Sequence, residues 1–475
     1  MNEGLKSQGR LLPLIIATGL FMENLDSTVL STALPTIARD FGTSPIYLKL
    51  TLTSYLLSLA IFIPTSGWMA DRFGARTVFR AAIVVFGLGS IACGLSSNLT
   101  ELVAARIVQG MGGAMMTPVG RLIILKTTPK HDLVNAMMWL TLPALLGPLS
   151  GPPLGGFITT YFHWRLIFWI NIPIAVLGIV LASLYVPNVR EDERRPFDLV
   201  GFLILAPGLV ALMGGATLSG LDLVPASVNI GLAAAGLALI GLYVHHAGRV
   251  ANPLIELRLL RFPTFRAAIG GGFLFRIGVG ATPFLLALYF QLGFDFSPFQ
   301  SGLLTLATGA GAMAMKALAG PILRRLGFRR VLTWNAVLSS VLVAAPALFH
   351  AGMPVLLISL TLLAAGFTRS LQFTSINIAG VSDIPPELMG RVTSMTSVLQ
   401  ELAGSVGVSV AALALETSMH LHGAGHLTAP VFPPVFLMIG VIAMTSGLIF
   451  LTLPRNVGNE LLAPAPGPRT PAAAE

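Results

Sequence analysis

Two carboxylates stand three residues apart in an otherwise apolar stretch. They are Glu23 and Asp26 in FMENLDST (21–28), flanked by LLPLIIATGL and VLSTALPTIA. On a helix an i, i+3 pair lies about 60° apart, on one face. An ionised side chain at the centre of a bilayer costs about 2.5–3.5 kcal/mol on insertion scales, so such residues face a wet cavity or a partner. Neighbouring acids in a low-dielectric site also resist simultaneous ionisation. Such a pair can take up and release a proton, which is what a proton-coupled carrier requires. Five more charges fall in apolar stretches: Arg106, Arg276, Lys316, Arg369 and Glu401. Arg106 is the electrostatic partner expected for Asp26. Near the acid it holds the carboxylate ionised; moved away, it lets a proton take its place. A fixed structural counter-ion is the alternative. Arg276 and Glu401 are expected in a cavity with Gln109 and Gln400, and a mutual pair between Arg276 and Glu401 is open. Lys316 and Arg369 lie nearer the ends of their stretches and read as side chains that snorkel to the interface.

The elements that must hold these groups are membrane helices. Of 475 residues, 54% are hydrophobic and 10% charged, against about 25% charged in soluble chains. Mean hydropathy is +0.81. The net charge of +9 is spread between apolar runs, so it marks no nucleic-acid surface. Cys93 is the only cysteine, which excludes an intramolecular disulfide. A span needs about 20 mostly apolar residues to cross a roughly 30 Å core. That measure predicts fourteen: 11–34, 46–69, 77–97, 99–121, 134–158, 166–186, 198–219, 228–248, 266–290, 298–320, 331–350, 353–374, 388–412 and 431–454. The first span is too long and too acidic for a cleaved signal, and no signal peptide is expected. With the N-terminus inside, 22 Lys and Arg fall in inner segments and three, Arg39, Lys49 and Arg165, in outer ones. Both termini are therefore expected in the cytoplasm.

The loops carry a repeat. GWMADRFGART (67–77) and GPILRRLGFRR (320–330) align at a constant offset of 253, matching Gly67 with Gly320, Arg72 with Arg325, Gly74 with Gly327 and Arg76 with Arg329. A duplicated six-span half predicts this recurrence. The expected partition is a six-helix bundle over 1–187, a linker and two inserted helices over 188–264, a second bundle over 265–455, and a disordered tail over 456–475.

Five stretches carry a family resemblance. GWMADRFGAR resembles the motif between the second and third spans of major facilitator superfamily transporters. RIVQGMGGA (106–114) resembles the fourth-span motif, and GPLSGPPLGG (147–156) the fifth-span motif of antiporters. HWRLIFWINIP (163–173) and LDSTVLSTALP (25–35) are similar to the fourteen-span drug:proton antiporter branch, the EmrB/QacA family. The resemblance implies an all-α polytopic membrane protein with the major facilitator fold: two six-helix pseudo-repeat bundles plus two extra transmembrane helices. It implies proton coupling at Asp26. Glu23 goes beyond the pattern, where an uncharged polar residue is common. It implies a conformational switch at Gly67, Asp71, Arg72, Gly74 and Arg76, with Asp71 in a charge latch between helix ends. Thr77 departs from the motif's second basic residue, and Arg324 replaces the acid in the second copy. A second switch is implied at Gly147, Pro148, Gly151, Pro152, Gly155 and Gly156. Small residues at four-residue spacing there let a helix approach closely, and the prolines remove backbone donors.

The expected function is a proton-coupled antiporter of a bacterial inner membrane, exporting amphiphilic drugs or other small molecules from the cytoplasm by alternating access. The runner-up is a dedicated exporter of one metabolite, anionic or zwitterionic. A receptor is disfavoured by short loops, and an intramembrane enzyme by spans without a nucleophile–base pair. No cofactor is expected: GAGAMAMK (309–316) lacks the second glycine of a phosphate loop, and HLHGAGH (420–426) offers three imidazoles without an acid or Cys to complete a zinc site. The expected partners are the bilayer, a small-molecule substrate and protons. A periplasmic adaptor and an outer-membrane channel are left open.

Overall fold

A computed structural model describes residues 2–129, 132–190, 196–219, 221, 224–454 and 457–458, with side chains from residue 11 onward except at 134 and 386. The tail sequence LLAPAPGPRTPAAAE and residues 191–195 of the acidic–basic stretch lie outside the described residues. The described residues form helices and connecting turns without a strand. In chain order the helices are α1 (Asn2–Asp40), α2 (Lys49–Phe62), α3 (Ser66–Phe73), α4 (Ala75–Leu95), α5 (Leu99–Thr127), α6 (Leu133–Tyr161), α7 (Leu166–Trp169) and α8 (Asn171–Tyr185). They continue with α9 (Leu199–Leu218), α10 (Ala226–Ala247), α11 (Pro263–Leu288), α12 (Pro298–Leu326), α13 (Phe328–Ala344), α14 (Val355–Ala379), α15 (Met389–Leu421) and α16 (Phe432–Phe450). A 3-10 turn at Ile63–Thr65 joins α2 to α3, and Ile170 alone separates α7 from α8. The sixteen helices therefore make fourteen rods, each overlying one expected span.

Among the described residues, eleven rods are long and apolar enough to cross a membrane by length and composition. The other three are α1, α5 and α6. They carry Glu23 and Asp26, Arg106, and the Gly/Pro run 147–156.

In the first half α1 lies on α6 and α8, while α5 lies between α2 and α4; in the second, α16 packs on α11 and α13, and α12 on α14. The halves meet along two seams, α6 with α12 and α2 with α15. The inserted α9 and α10 form a hairpin on the second seam, with α9 touching both α2 and α15. Lys49, expected in a loop, begins α2 fully buried and donates from Nζ to the Ser219 carbonyl at 3.2 Å. The Tyr47 hydroxyl donates to the Leu221 carbonyl at 2.9 Å, and Thr217 and Ser409 share a hydroxyl bond of 2.9 Å. At the opposite end Asp198 caps α9 through the Gly201 amide at 2.8 Å and binds His246 of α10, also at 2.8 Å. Arg391 of the second half holds Glu256 and Asn252 of the connector leaving the hairpin.

The repeated loops fold alike. Gly74 ends α3 at φ +92° and Gly327 ends α12 at φ +75°, backbone that L residues adopt only under strain. Two residues on, Arg76 donates to the carbonyl of Val186, which caps α8, at 3.4 Å. Arg329 donates to the carbonyl of Leu451, which caps α16, at 2.8 Å. Each half thus uses its loop arginine to satisfy the carbonyl end of its own sixth rod, where the helix dipole favours a cation. Gly74→Ala and Gly327→Ala should each cost about 1–3 kcal/mol of backbone strain. At Gly74 a Cβ would also strike the Asn188 side chain, whereas nothing lies within 4 Å at Gly327. Thermal unfolding in detergent should therefore show the larger loss for Gly74→Ala.

The HWR segment fastens the other end of the first half. The Trp164 indole and the Arg165 guanidinium both donate to Asp40 Oδ2, at 2.9 and 3.1 Å, and Arg165 also reaches the Ser96 carbonyl at 2.9 Å. The Trp164 hydrogen bond, with Arg165 beside it, holds the Asp40 carboxyl below its usual range.

Candidate functional site: a sealed carboxylate beside two cavities

Asp26 is 1% exposed and accepts from three side chains. Arg106 Nη1 donates to Oδ2 at 2.5 Å, while Gln109 Nε2 and Asn171 Nδ2 donate to Oδ1 at 2.8 and 3.0 Å. Both amides also donate to Ser90 Oγ, at 2.8 and 3.2 Å. Gln109 Oε1 accepts from Arg106 Nη1 at 2.6 Å, Arg106 Nε donates to the Thr51 carbonyl at 3.3 Å, and the guanidinium carbon sits 4.0 Å from the Tyr55 ring centre. The RIVQGMGGA stretch makes this possible. Arg106 and Gln109 share a face of α5, and Gly112 lets that helix back onto the Phe86 backbone of α4. A buried ion pair is costly where its remaining donors and acceptors go unmet; here α1, α2, α4, α5 and α8 each supply a member of the network, while Arg106 Nη2 has no hydrogen-bond partner among the described residues.

Gln109 was expected to line a cavity. It is 0% exposed instead, because its amide is consumed in orienting Asp26. Sequence reasoning missed Asn171 and Ser90. Asn171 had a signal: a lone amide in FWINIP, inside a stretch already singled out.

Glu23 shares the face of Asp26 but not its surroundings. It accepts from Thr117 Oγ1 at 2.7 Å and lines a cavity of about 390 Å³ with Arg121, Arg276, Gln400 and Glu401. Arg276 donates to Asn377 Oδ1 at 3.3 Å and lies 5.3 Å from the Phe373 ring centre. Arg276 and Glu401 line the same space, with no ion pair within 4 Å between them among the described residues. The structure thus brings Glu23, Arg276, Gln400 and Glu401 together and keeps Asp26, Arg106 and Gln109 apart from them, sealed inside the first half.

A second cavity, also of about 390 Å³, opens between α1, α6, α11, α12 and α14 and shares Gln400 with the first. Lys316 and Arg369 line it. The expectation for them is snorkelling to the interface; both instead border this cavity, Lys316 exposed and Arg369 half-buried.

The switch residues divide. Asp71 pairs with Lys126 at 3.4 Å, tying the end of α3 to the end of α5. Gly67, Asp71, Arg72, Asp198 and Arg391 line a recess of about 220 Å³ between this loop, the hairpin connectors and the second half. Gly67 sits inside α3 with nothing within 4 Å, so the turn rests on Gly74. In α6, which stays helical through Pro143, Pro148, Pro152 and Pro153, a Cβ at Gly147 would meet Asn24, one at Gly151 Thr28 and one at Gly155 Val29. That stripe seats α6 on α1, next to the acids. Gly156 instead faces Pro298 of α12, and Gly302 of α12 faces Pro152. Pro148 and Pro152 line the second cavity. The end of the halves remote from the repeated loops is closed by this contact, by Gln291 Nε2 donating to the Thr32 carbonyl at 2.9 Å, and by the Phe299 amide donating to Thr160 Oγ1 at 3.0 Å.

Known proteins agree with this architecture. Residues 16–408 match the Major Facilitator Superfamily. The chain is 40% identical over 456 residues to the MdtD proteins of Salmonella paratyphi A and Salmonella typhimurium, which are named provisionally for multidrug resistance; 94% of this chain and 96% of each relative are covered. Among solved structures, an auto-inhibited POT family peptide transporter superposes with a TM-score of 0.68 at 17% identity, over 93% of this chain and 96% of that one. A D-xylose-proton symporter gives 0.66 at 17% identity, over 94% and 98%. Those two likenesses speak for the fold alone. By family match and by full-length relatives, the chain belongs to the major facilitator superfamily, whose members are transporters and not enzymes.

Proposed function

We propose that the protein is a proton-coupled antiporter of the fourteen-span EmrB/QacA branch, exporting amphiphilic small molecules from the cytoplasm across a bacterial inner membrane. All fourteen rods cross the bilayer in this reading, and both termini are cytoplasmic. The halves 1–187 and 265–455 rock about the seams, with 188–264 as an inserted hairpin. The basic loops then mark the cytoplasmic side, and the closed α6–α12 end makes this the state facing inward. Multidrug naming among the relatives supports the cargo class.

One observation carries the coupling: Asp26 is sealed against Arg106 one helical turn from Glu23 and its cavity. The guanidinium and a proton are alternative partners for one carboxylate. A shift of α5 against α1 exchanges one for the other, which links protonation to the conformational step. Inverted vesicles with an acidic interior should accumulate cargo, and a protonophore should abolish that accumulation. Accumulation that ignores the pH gradient would overturn the coupling.

A single-metabolite exporter is the second reading, favoured by the four fixed charges around the Glu23 cavity. A narrow cargo range in growth-inhibition and efflux assays would select it.

A further inference from the structure

The second cavity is electrically one-sided. Lys316 and Arg369 line it, and no carboxylate does. Lys316 Nζ reaches Thr374 Oγ1 at 3.5 Å, and Arg369 makes no hydrogen bond or ion pair among the described residues. The acids nearest in the fold are matched elsewhere: Glu23 and Glu401 share the neighbouring cavity with Arg121 and Arg276. The rest of the wall is mainly apolar, with Pro148 and Leu149 of α6, Met313 one turn from Lys316 on α12 and Phe373 one turn from Arg369 on α14. Lys316 is exposed and Arg369 half-buried, and two cations facing one cavity without a counter-ion repel each other unless what enters brings the opposite charge.

We propose that this cavity binds an amphiphilic organic anion, its acidic head on Lys316 and Arg369 and its apolar body against Leu149, Met313 and Phe373. The planar guanidinium suits a carboxylate, sulfonate or phosphate head through two parallel hydrogen bonds, and the ammonium adds a movable point charge. The inference deepens the exporter reading by giving the cargo a charge sign, and it rests on that reading for the word cargo. It does not rest on proton coupling.

The test is binding to the purified full chain, using three probes with one aromatic body: naphthalene-2-sulfonate, naphthalene-2-sulfonamide and (2-naphthylmethyl)trimethylammonium. The sulfonate should bind at least about tenfold more tightly than either other probe, a difference that one favourable charged contact supplies. Lys316→Gln with Arg369→Gln should erase the preference, and Lys316→Arg with Arg369→Lys should keep most of it. Equal affinity for the three probes, preference for the cation, or a sulfonate that fails to bind the native chain would overturn the inference. The native-chain comparison needs no variant to fold. Asp26→Asn separates the two ideas: if it still responds to a pH gradient while sulfonate preference stands, coupling at Asp26 is wrong and the anion site survives.

Discussion

Asp26→Asn should leave a chain that binds cargo but no longer feels the pH gradient. In the proposed antiport each unit of pH is worth about tenfold in cargo accumulation per proton exchanged. In the variant that ratio should fall to about one. The amide preserves shape, so the loss would report chemistry: a carboxylate exchanges Arg106 for a proton, and an amide cannot. The substitution also leaves the wholly buried Arg106 without its counter-charge. Removing one partner of a buried pair costs about 3–5 kcal/mol, so the melting temperature in detergent should drop as well. Asp26→Glu keeps the charge and should recover part of the gradient response. Native accumulation and native pH dependence in Asp26→Asn vesicles would remove Asp26 from the mechanism.

Gly302→Val should hold the protein away from the closed arrangement of its α6–α12 seam. A Cβ at this position runs into the Pro152 carbonyl and approaches Pro153 Cα to 2.9 Å. Both obstacles are backbone and cannot swing aside. Overpacking costs about 1–3 kcal/mol, and here the cost falls on one conformation, which shifts the balance between states by about 5- to 150-fold. A cysteine introduced as Ser31→Cys reports the shift, because Ser31 lines the second cavity and is 5% exposed. The native thiol at Cys93 is buried and gives little background. Labelling from outside by a membrane-impermeant reagent should rise with Gly302→Val and transport should fall, with a smaller effect for Gly302→Ala. Unchanged labelling in the valine variant would show that the seam does not gate access.

The fold was legible because the bilayer makes a crude demand, about twenty apolar residues per crossing. Every expected span lies under a rod. The repeat was legible because glycine is nearly compulsory at the backbone angles of residues 74 and 327. The pairing of Asp26 with Arg106 was legible for a different reason: intramembrane charges are few, and each must find a partner. What sequence position could not resolve was direction. Lys316 and Arg369 have the depth of snorkelling residues, but depth along a helix does not say which face a side chain leaves from. Gln109 and Gln400 look alike in an apolar run, yet one is consumed by a buried carboxylate and the other borders both cavities. Lys49 read as a loop residue because its partner, the Ser219 carbonyl, is about 170 positions away.

The hairpin of α9 and α10 gives the molecule a stiff flank. Its ties run to α2 through Lys49 and Tyr47, to α15 through Ser409, and to Arg391 at the other end. The α6–α12 flank is joined directly, by the Phe299–Thr160 hydrogen bond and the glycine contacts, with no inserted helix bridging it among the described residues. In the proposed alternating-access cycle, two bodies bound along one edge would not rock symmetrically; they would turn like the boards of a book about its spine. The widest gap then opens at the fore-edge, where Gly156 and Gly302 now touch the facing backbone. That flank also carries Lys316 on α12, so in the proposed cycle its opening would uncover the charged wall of the second cavity.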